Sequence, residues 1–199
     1  MLMTLHAGSL VNEEKAYSIR LGGGFADSND LGEILLGDWS RYPKDTSVIN
    51  LDGGWCFVEN MSDLPLDWYL KGGVSYFDEN GYADDILEVT LYVKVYWKID
   101  FLQNRVRLGL GEGLSLANEV PIVETDDATN SDGSVDPTSK FLNYLDISAD
   151  LDLGRLFHVE SLRDLYLGYT LKHRSGIFGV FNRVHGGSNY NMLTLEKNF

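Results

Sequence analysis

The segment Leu87-Glu88-Val89-Thr90-Leu91-Tyr92-Val93-Lys94-Val95-Tyr96-Trp97-Lys98-Ile99-Asp100-Phe101 decides how this chain folds. Every odd-numbered residue in it is apolar, while the even-numbered side carries Glu88, Lys94, Lys98 and Asp100. A period of two belongs to a strand, whose successive side chains point to opposite faces. The run is also long enough to cross a bilayer, for which a tilted strand needs about 9–11 residues.

The same alternation recurs on both sides. Before it, Tyr17, Ile19, Leu21 and Phe25 oppose Ser18 and Arg20; Ile49, Leu51, Trp55 and Phe57 oppose Asn50 and Asp52; Trp68, Leu70, Val74 and Tyr76 oppose Asp67 and Lys71. After it, Val106, Leu108 and Leu110 oppose Arg105 and Arg107, and Phe141, Leu145, Ile147 and Leu151 oppose Asp146, Asp150 and Asp152. Leu165, Leu167, Tyr169 and Leu171 form a seventh alternating segment, and Asn189 to Phe199 an eighth.

The connections alternate in length. They are long after the first, fifth and seventh segments, intermediate after the third, and short or compact after the second, fourth and sixth. Glu79-Asn80-Gly81 and a turn near Gln103-Asn104 read as hairpin signals. Residues 26–45 carry turn chemistry, although Glu33 to Leu36 has the character of a strand extension.

Which face carries charge then selects among β architectures. A soluble lipocalin-like barrel is apolar inside and polar outside. Here one face is Leu, Val, Ile and Trp while the other mixes acids with bases, which pair inside a barrel just wide enough to be filled by side chains. A charge facing lipid at mid-bilayer costs roughly 2–4 kcal/mol, which accounts for the clean apolar face. The expectation is an all-β, eight-stranded, antiparallel, up-and-down transmembrane barrel in the bacterial outer membrane, with short periplasmic turns and longer external loops. Residues 1–199 read as a single domain, with 1–15 an irregular amino-terminal segment and 117–139 an acidic external loop. The alternatives are a soluble sandwich with one wet face and a soluble barrel holding a ligand.

Composition agrees. A net charge of −14 over 199 residues argues against a nucleic-acid partner, which needs a basic surface. Four prolines and 21 glycines suit strands joined by tight turns, and Cys56 alone allows no internal disulfide. No apolar run approaches the roughly 20 residues of a spanning helix. Met1 to Val11, with Thr4 and His6, is too short and polar to be a whole secretory signal.

Candidate chemistry lies where the seventh segment ends. Its apolar face continues into His173 and then Ser175, a possible base and a possible nucleophile. A loop with Gly176, Gly179, Gly186 and Gly187 follows, and Asn189 opens the last strand on the face of Leu193 and Leu195, where it can meet His173 across the pair. The bland reading is an amphipathic histidine at a membrane interface beside an ordinary Ser-Gly turn.

Tyr169-Thr170-Leu171-Lys172-His173-Arg174-Ser175-Gly176, the Gly186-Gly187-Ser188-Asn189 turn and the terminal Phe199 resemble the lipid A 3-O-deacylase (PagL-type) family of outer-membrane hydrolases. The resemblance covers residues 165–199; elsewhere only the architecture agrees. It implies an ester hydrolase that removes an acyl chain from lipid A or lipopolysaccharide within the outer-membrane lipid, with Ser175 as nucleophile, His173 as base and no metal or organic cofactor. Two departures stand out. The family's asparagine after the serine, an oxyanion donor, is Gly176, so the backbone N–H groups of Gly176 and Ile177 become the candidate donors. The family's acid is Asn189, an amide that can orient an imidazole but cannot offset imidazolium charge; the corresponding change in serine proteases costs roughly 10⁴ in rate. Glu196 has the wrong parity to substitute for it. The even number of Arg174 points it inward with Lys172, yet it is close enough to the rim to be a candidate contact for an anionic headgroup; Arg183 and His185 are candidate contacts for lipid A phosphates, with solvated loop charge the plain alternative for these two. The competing function is a non-catalytic barrel, structural or lipopolysaccharide-binding, that has lost the acid. Segment 124–136 fails as an EF-hand, because Ala128 and Ser139 occupy positions that need ligands.

Overall fold

A computed structural model describes residues 16–199. The expectation of an irregular segment over 1–15 lies outside the described residues. Eight strands, β1 (Tyr17–Asp27), β2 (Ser47–Val58), β3 (Leu66–Asp78), β4 (Ile86–Phe101), β5 (Asn104–Ala117), β6 (Phe141–Asp152), β7 (Leu165–Ser175) and β8 (Gly187–Asn198), pair in sequence order. Closure of β1 on β8 completes an up-and-down antiparallel barrel. Among the described residues no helix is long and apolar enough to cross a membrane.

The faces fall as the alternation requires. Leu91 is 57 % exposed on the outer surface and Val93 and Leu167 are exposed there too, while Lys94 and Asp146 are wholly buried in the lumen. Inside, Arg20 Nε donates to Asp52 at 2.8 Å and its Nη2 to Asp146 at 2.6 Å; Lys94 also pairs with Asp146. Lys71 bridges Glu196 at 2.7 Å and Asp52 at 3.0 Å, and Arg107 reaches Glu196 at 3.2 Å. Isolated buried ions would each cost several kcal/mol; shared partners and tyrosine hydroxyls such as Tyr92 and Tyr96 offset that cost. An oily exterior around a paired ionic lumen is a transmembrane barrel. Glu196, spent on Lys71, Arg107 and Tyr96, is inside and remote from the candidate chemistry.

The connections carry more structure than turn chemistry suggested. The β4–β5 turn is centred on Leu102 and Gln103, one residue earlier than read, both left-handed at φ 46° and 66°. Asn80 and Gly81, at φ 52° and 76°, supply the paired positive φ of a tight turn inside the longer β3–β4 connection, closed by Tyr82 N donating to Glu79 O at 3.0 Å. Glu33 to Leu36 does not extend a strand. Instead α1 (Leu31–Leu35) forms, started by Asp30, whose N–H donates to the Glu33 carboxylate at 3.1 Å. Nor is 117–139 merely a solvated loop: it contains α2 (Ile122–Asp127), which turns Val123 and Glu124 inward. Between β6 and β7, α3 (Leu153–Phe157) and a 3₁₀ turn (Glu160–Leu162) make a compact cap.

At the outer rim, the end with the longer connections, α2 and the β1–β2 connection close over the lumen. Val123 joins Phe77, Ile86, Tyr190 and Met192 in an apolar plug, with the Phe77 and Tyr190 rings 4.9 Å apart. Ser188 Oγ donates to Glu124 at 2.6 Å, tying α2 to β8. Tyr42 donates to Asp126, and Lys44 pairs with it at 2.6 Å, tying the β1–β2 connection to α2.

Candidate active site

Four neighbouring strands build one polar row on the outer surface at this rim. The register sets His173 of β7 opposite Asn189 of β8, and Asn189 opposite Asp27 of β1. On the other side of β7, Ser175 lies opposite Asn143 of β6. Since a strand sends alternate residues to one face, His173 and Ser175 share a side. The row faces an open cleft of about 680 Å³. Its walls come from the start of α1, from α2 and from the β7–β8 loop.

His173 Nδ1 lies 2.7 Å from Asn189 Oδ1. The Asn189 amide is fixed from its other side, because Nδ2 donates to the carbonyl oxygen of Asn29 at 3.0 Å. A carbonyl only accepts, so the NH₂ group must face Asn29 and the amide oxygen must face the imidazole. Nδ1 therefore carries the hydrogen, and Nε2 is left with a lone pair on the tautomer a general base needs. Asn29 is held in turn: its N–H donates to Asp27 Oδ1 at 2.8 Å, and Asp27 also accepts from Ser40 N at 3.1 Å and from Asn191 Nδ2 at 2.6 Å. Asn191 accepts from Tyr169 Oη at 2.5 Å, and the Tyr169 ring stacks on Trp39 at 5.3 Å. The β1–β2 connection is thus docked against the barrel wall, and a carboxylate stands one residue row behind the amide.

Ser175 Oγ lines the cleft and makes no hydrogen bond among the described residues. The loop after it has left-handed φ at Ile177, Phe178 and Gly179, and it throws Phe178, 91 % exposed, outward from the rim. Gly176 is a contact glycine: a Cβ there would meet the Val184 carbonyl oxygen at 2.0 Å, so no larger residue fits while the loop folds back in this way.

The residues read from the sequence divide into two groups. His173, Ser175 and Asn189 converge on the cleft. Of the backbone oxyanion candidates, Gly176 is already engaged, since its N–H donates to Gly186 O at 3.3 Å, whereas Ile177 lines the cleft. Arg174 does not reach the surface. It points into the lumen, fully buried, 3.4 Å from Glu124 and 3.7 Å from Glu88, because its even number puts it on the ionic face. Arg183 stands in solvent and does not line the cleft. Among the described residues no lysine or arginine lines it, whereas Asp30, Glu112 and Asp127 do. Asp126 is neutralised by its partners: burial would raise its carboxyl, but hydrogen bonds from Lys44 and Tyr42 outweigh this and hold it below the usual range. Burial together with Asp126 pushes the Tyr42 phenol far above its ordinary value, so it remains a donor.

Asp27, Asn29 and Asn143 were not found from the sequence. Only the register brings Asp27 and Asn143 to the row, and Asn29 acts through its backbone. The capping pattern Asp30-x-x-Glu33 was the one local sign that the β1–β2 connection had structure of its own.

No family model and no curated protein matches the chain. Among solved structures it is similar to the outer membrane enzyme PagL, with a TM-score of 0.60 and 11 % identity over 92 % of this chain and 99 % of that one. It is also similar to Neisserial surface protein A (NspA), with a TM-score of 0.49 and 10 % identity over 92 % of this chain and 97 % of that one. At 11 % identity, what the chain shares with PagL is the closed eight-stranded barrel.

Proposed function

We propose that this chain is an outer-membrane ester hydrolase that removes an acyl chain from lipid A or lipopolysaccharide. One observation carries the reading: the Asn29–Asn189–His173 hydrogen-bond chain holds the imidazole with Nδ1 protonated and Nε2 free, one alternate residue from a serine on the same face. Ser175 Oγ attacks the acyl carbon as its proton passes to His173 Nε2, and the carbonyl electron pair moves onto oxygen. Collapse breaks the ester C–O bond, and the leaving alkoxide takes the proton from His173. Water, activated by the same imidazole, then cleaves the acyl-serine. The apolar exterior brings the acyl chain to the cleft from the lipid, and Phe178 at the rim offers it further apolar surface. With the cleft wall acidic, substrate phosphates lie outside it or are bridged by divalent cations.

The test is release of free fatty acid from lipid A by the protein in detergent micelles, with Ser175→Ala as control. Release by the wild type and none by the variant supports the reading; no release, or equal release by both, removes it. The neutral Asn189 and the unbonded Ser175 hydroxyl favour a second reading, a barrel that binds lipopolysaccharide without cleaving it. Saturable binding without release would mark that case.

A further inference from the structure

We infer that the side chain of Asn143 is the principal oxyanion donor of this site, with the backbone N–H of Ile177 at most an accessory one. The inference rests on the hydrolase reading above and names a further catalytic residue for it.

An acyl transfer needs a hydrogen-bond donor aimed at the oxygen that becomes negative as the nucleophile adds. Gly176 has no side chain to give, and its N–H is already bonded to Gly186 O. Asn143 lies on the neighbouring strand directly opposite Ser175. Opposed residues on one face have Cβ atoms about 4.5–5.5 Å apart. From its Cβ, a serine-bound tetrahedral carbon places its oxyanion three bonds out, and the Asn143 NH₂ lies two bonds out from the facing strand. The two therefore meet between the strands at hydrogen-bond range.

The state of Asn143 suits the role. It is 5 % exposed and lines the cleft, yet its carboxamide makes no hydrogen bond among the described residues. A buried amide without a partner costs roughly 1–3 kcal/mol, so this position is stable only at a surface where water or a ligand completes it. On its face Leu145 follows on β6 and Leu114 stands opposite on β5, with Glu112 diagonal to it beside Leu114. The Asn143 carboxamide is thus a buried donor beside the candidate nucleophile. Held in place by its strand, it is worth more than water there, because no solvent need reorganise as the charge develops.

The experiment measures steady-state fatty-acid release by the wild type, Asn143→Ala and the near-isosteric Asn143→Asp in micelles. Heat-modifiable gel mobility checks that each barrel is closed. The expected result is a fall in kcat of about 10²–10³ in both variants with KM within a few-fold. An alkyl boronic acid, which adds to the serine as a tetrahedral anion, is expected to lose potency in parallel, an effect a packing defect alone would not produce. A wild-type rate in either closed variant, or a loss confined to KM, overturns the assignment of Asn143 and leaves the hydrolase reading standing. A wild type that releases no fatty acid overturns the hydrolase reading, and this role falls with it.

Discussion

The carbonyl oxygen of Asn29 accepts a hydrogen bond from Asn189 Nδ2 at 3.0 Å, and that contact decides which atom of Asn189 meets His173. In the proposed hydrolase the amide does half the work of a triad acid. It selects the tautomer and orients the ring, but it brings no negative charge.

Restoring that charge is the first prediction. Asn189→Asp is expected to raise kcat by at least about tenfold, part of the roughly 10⁴ that separates acid from amide in serine proteases. The full factor is not expected, because the new carboxylate also faces the Asn29 carbonyl. A carboxylate beside the imidazole favours its protonated form. Since only the neutral form acts as base, the acid limb of the pH–rate profile should move to higher pH. An unchanged limb with unchanged kcat would show that Asn189 does not address the base.

Asp27 acts further back. Asp27→Ala removes the acceptor of Asn29 N, Ser40 N and Asn191 Nδ2 together. Each lost bond is worth about 1 kcal/mol, and the β1–β2 connection should loosen while the barrel stays closed. Amide exchange across residues 28–46 is expected to accelerate, and kcat to fall by about 10², the scale of a misplaced catalytic group. Wild-type exchange in that segment would show that Asp27 does not hold it.

The Lys44–Asp126–Tyr42 contact makes closure of the outer rim pH-dependent. The Asp126 carboxyl is held below its ordinary value, so its contribution is fully present above about pH 4. It is lost as pH falls through the depressed value and the carboxylate protonates. Proteolytic nicking of the loops in detergent should therefore rise below pH 4 in the wild type. Asp126→Asn should be nicked at that higher rate at neutral pH too.

Tolerance should differ between the two faces of the wall. Asp146→Ala takes from Lys94 its ion-pair partner and leaves Arg20 with Asp52 alone, and is expected to cost about 3–5 kcal/mol. Leu91→Arg, on the outer face, is expected to cost about 2–4 kcal/mol in lipid vesicles. Urea unfolding from vesicles reads both. A Leu91→Arg barrel as stable as the wild type in lipid would mean that this face does not contact the bilayer.

The barrel was legible because long strands repeat one simple rule. In Leu87 to Phe101 the alternation is unbroken, so the position of Lys94 in the lumen follows from that of Leu91 on the surface. His173 and Ser175 were legible as an extension of the same rule. Arg174 fails as a headgroup contact by that rule too, since its parity sends it to Glu88 and Glu124. What lay beyond local reading came from tertiary contact. α1 forms where the apolar Ile34 and Leu35 suggested a strand, and Glu124 is buried because α2 folds down onto Arg174 and Ser188. Asn143 meets Ser175 only through the register of β6 on β7, which no spacing within either strand encodes.

The most direct test of the account is covalent labelling by a long-chain alkyl fluorophosphonate, followed by mass analysis of the peptide containing Ser175. An adduct on Ser175 is expected in the wild type and none in His173→Ala. No adduct on Ser175, or equal labelling in the two proteins, would contradict the claim that His173 activates this serine.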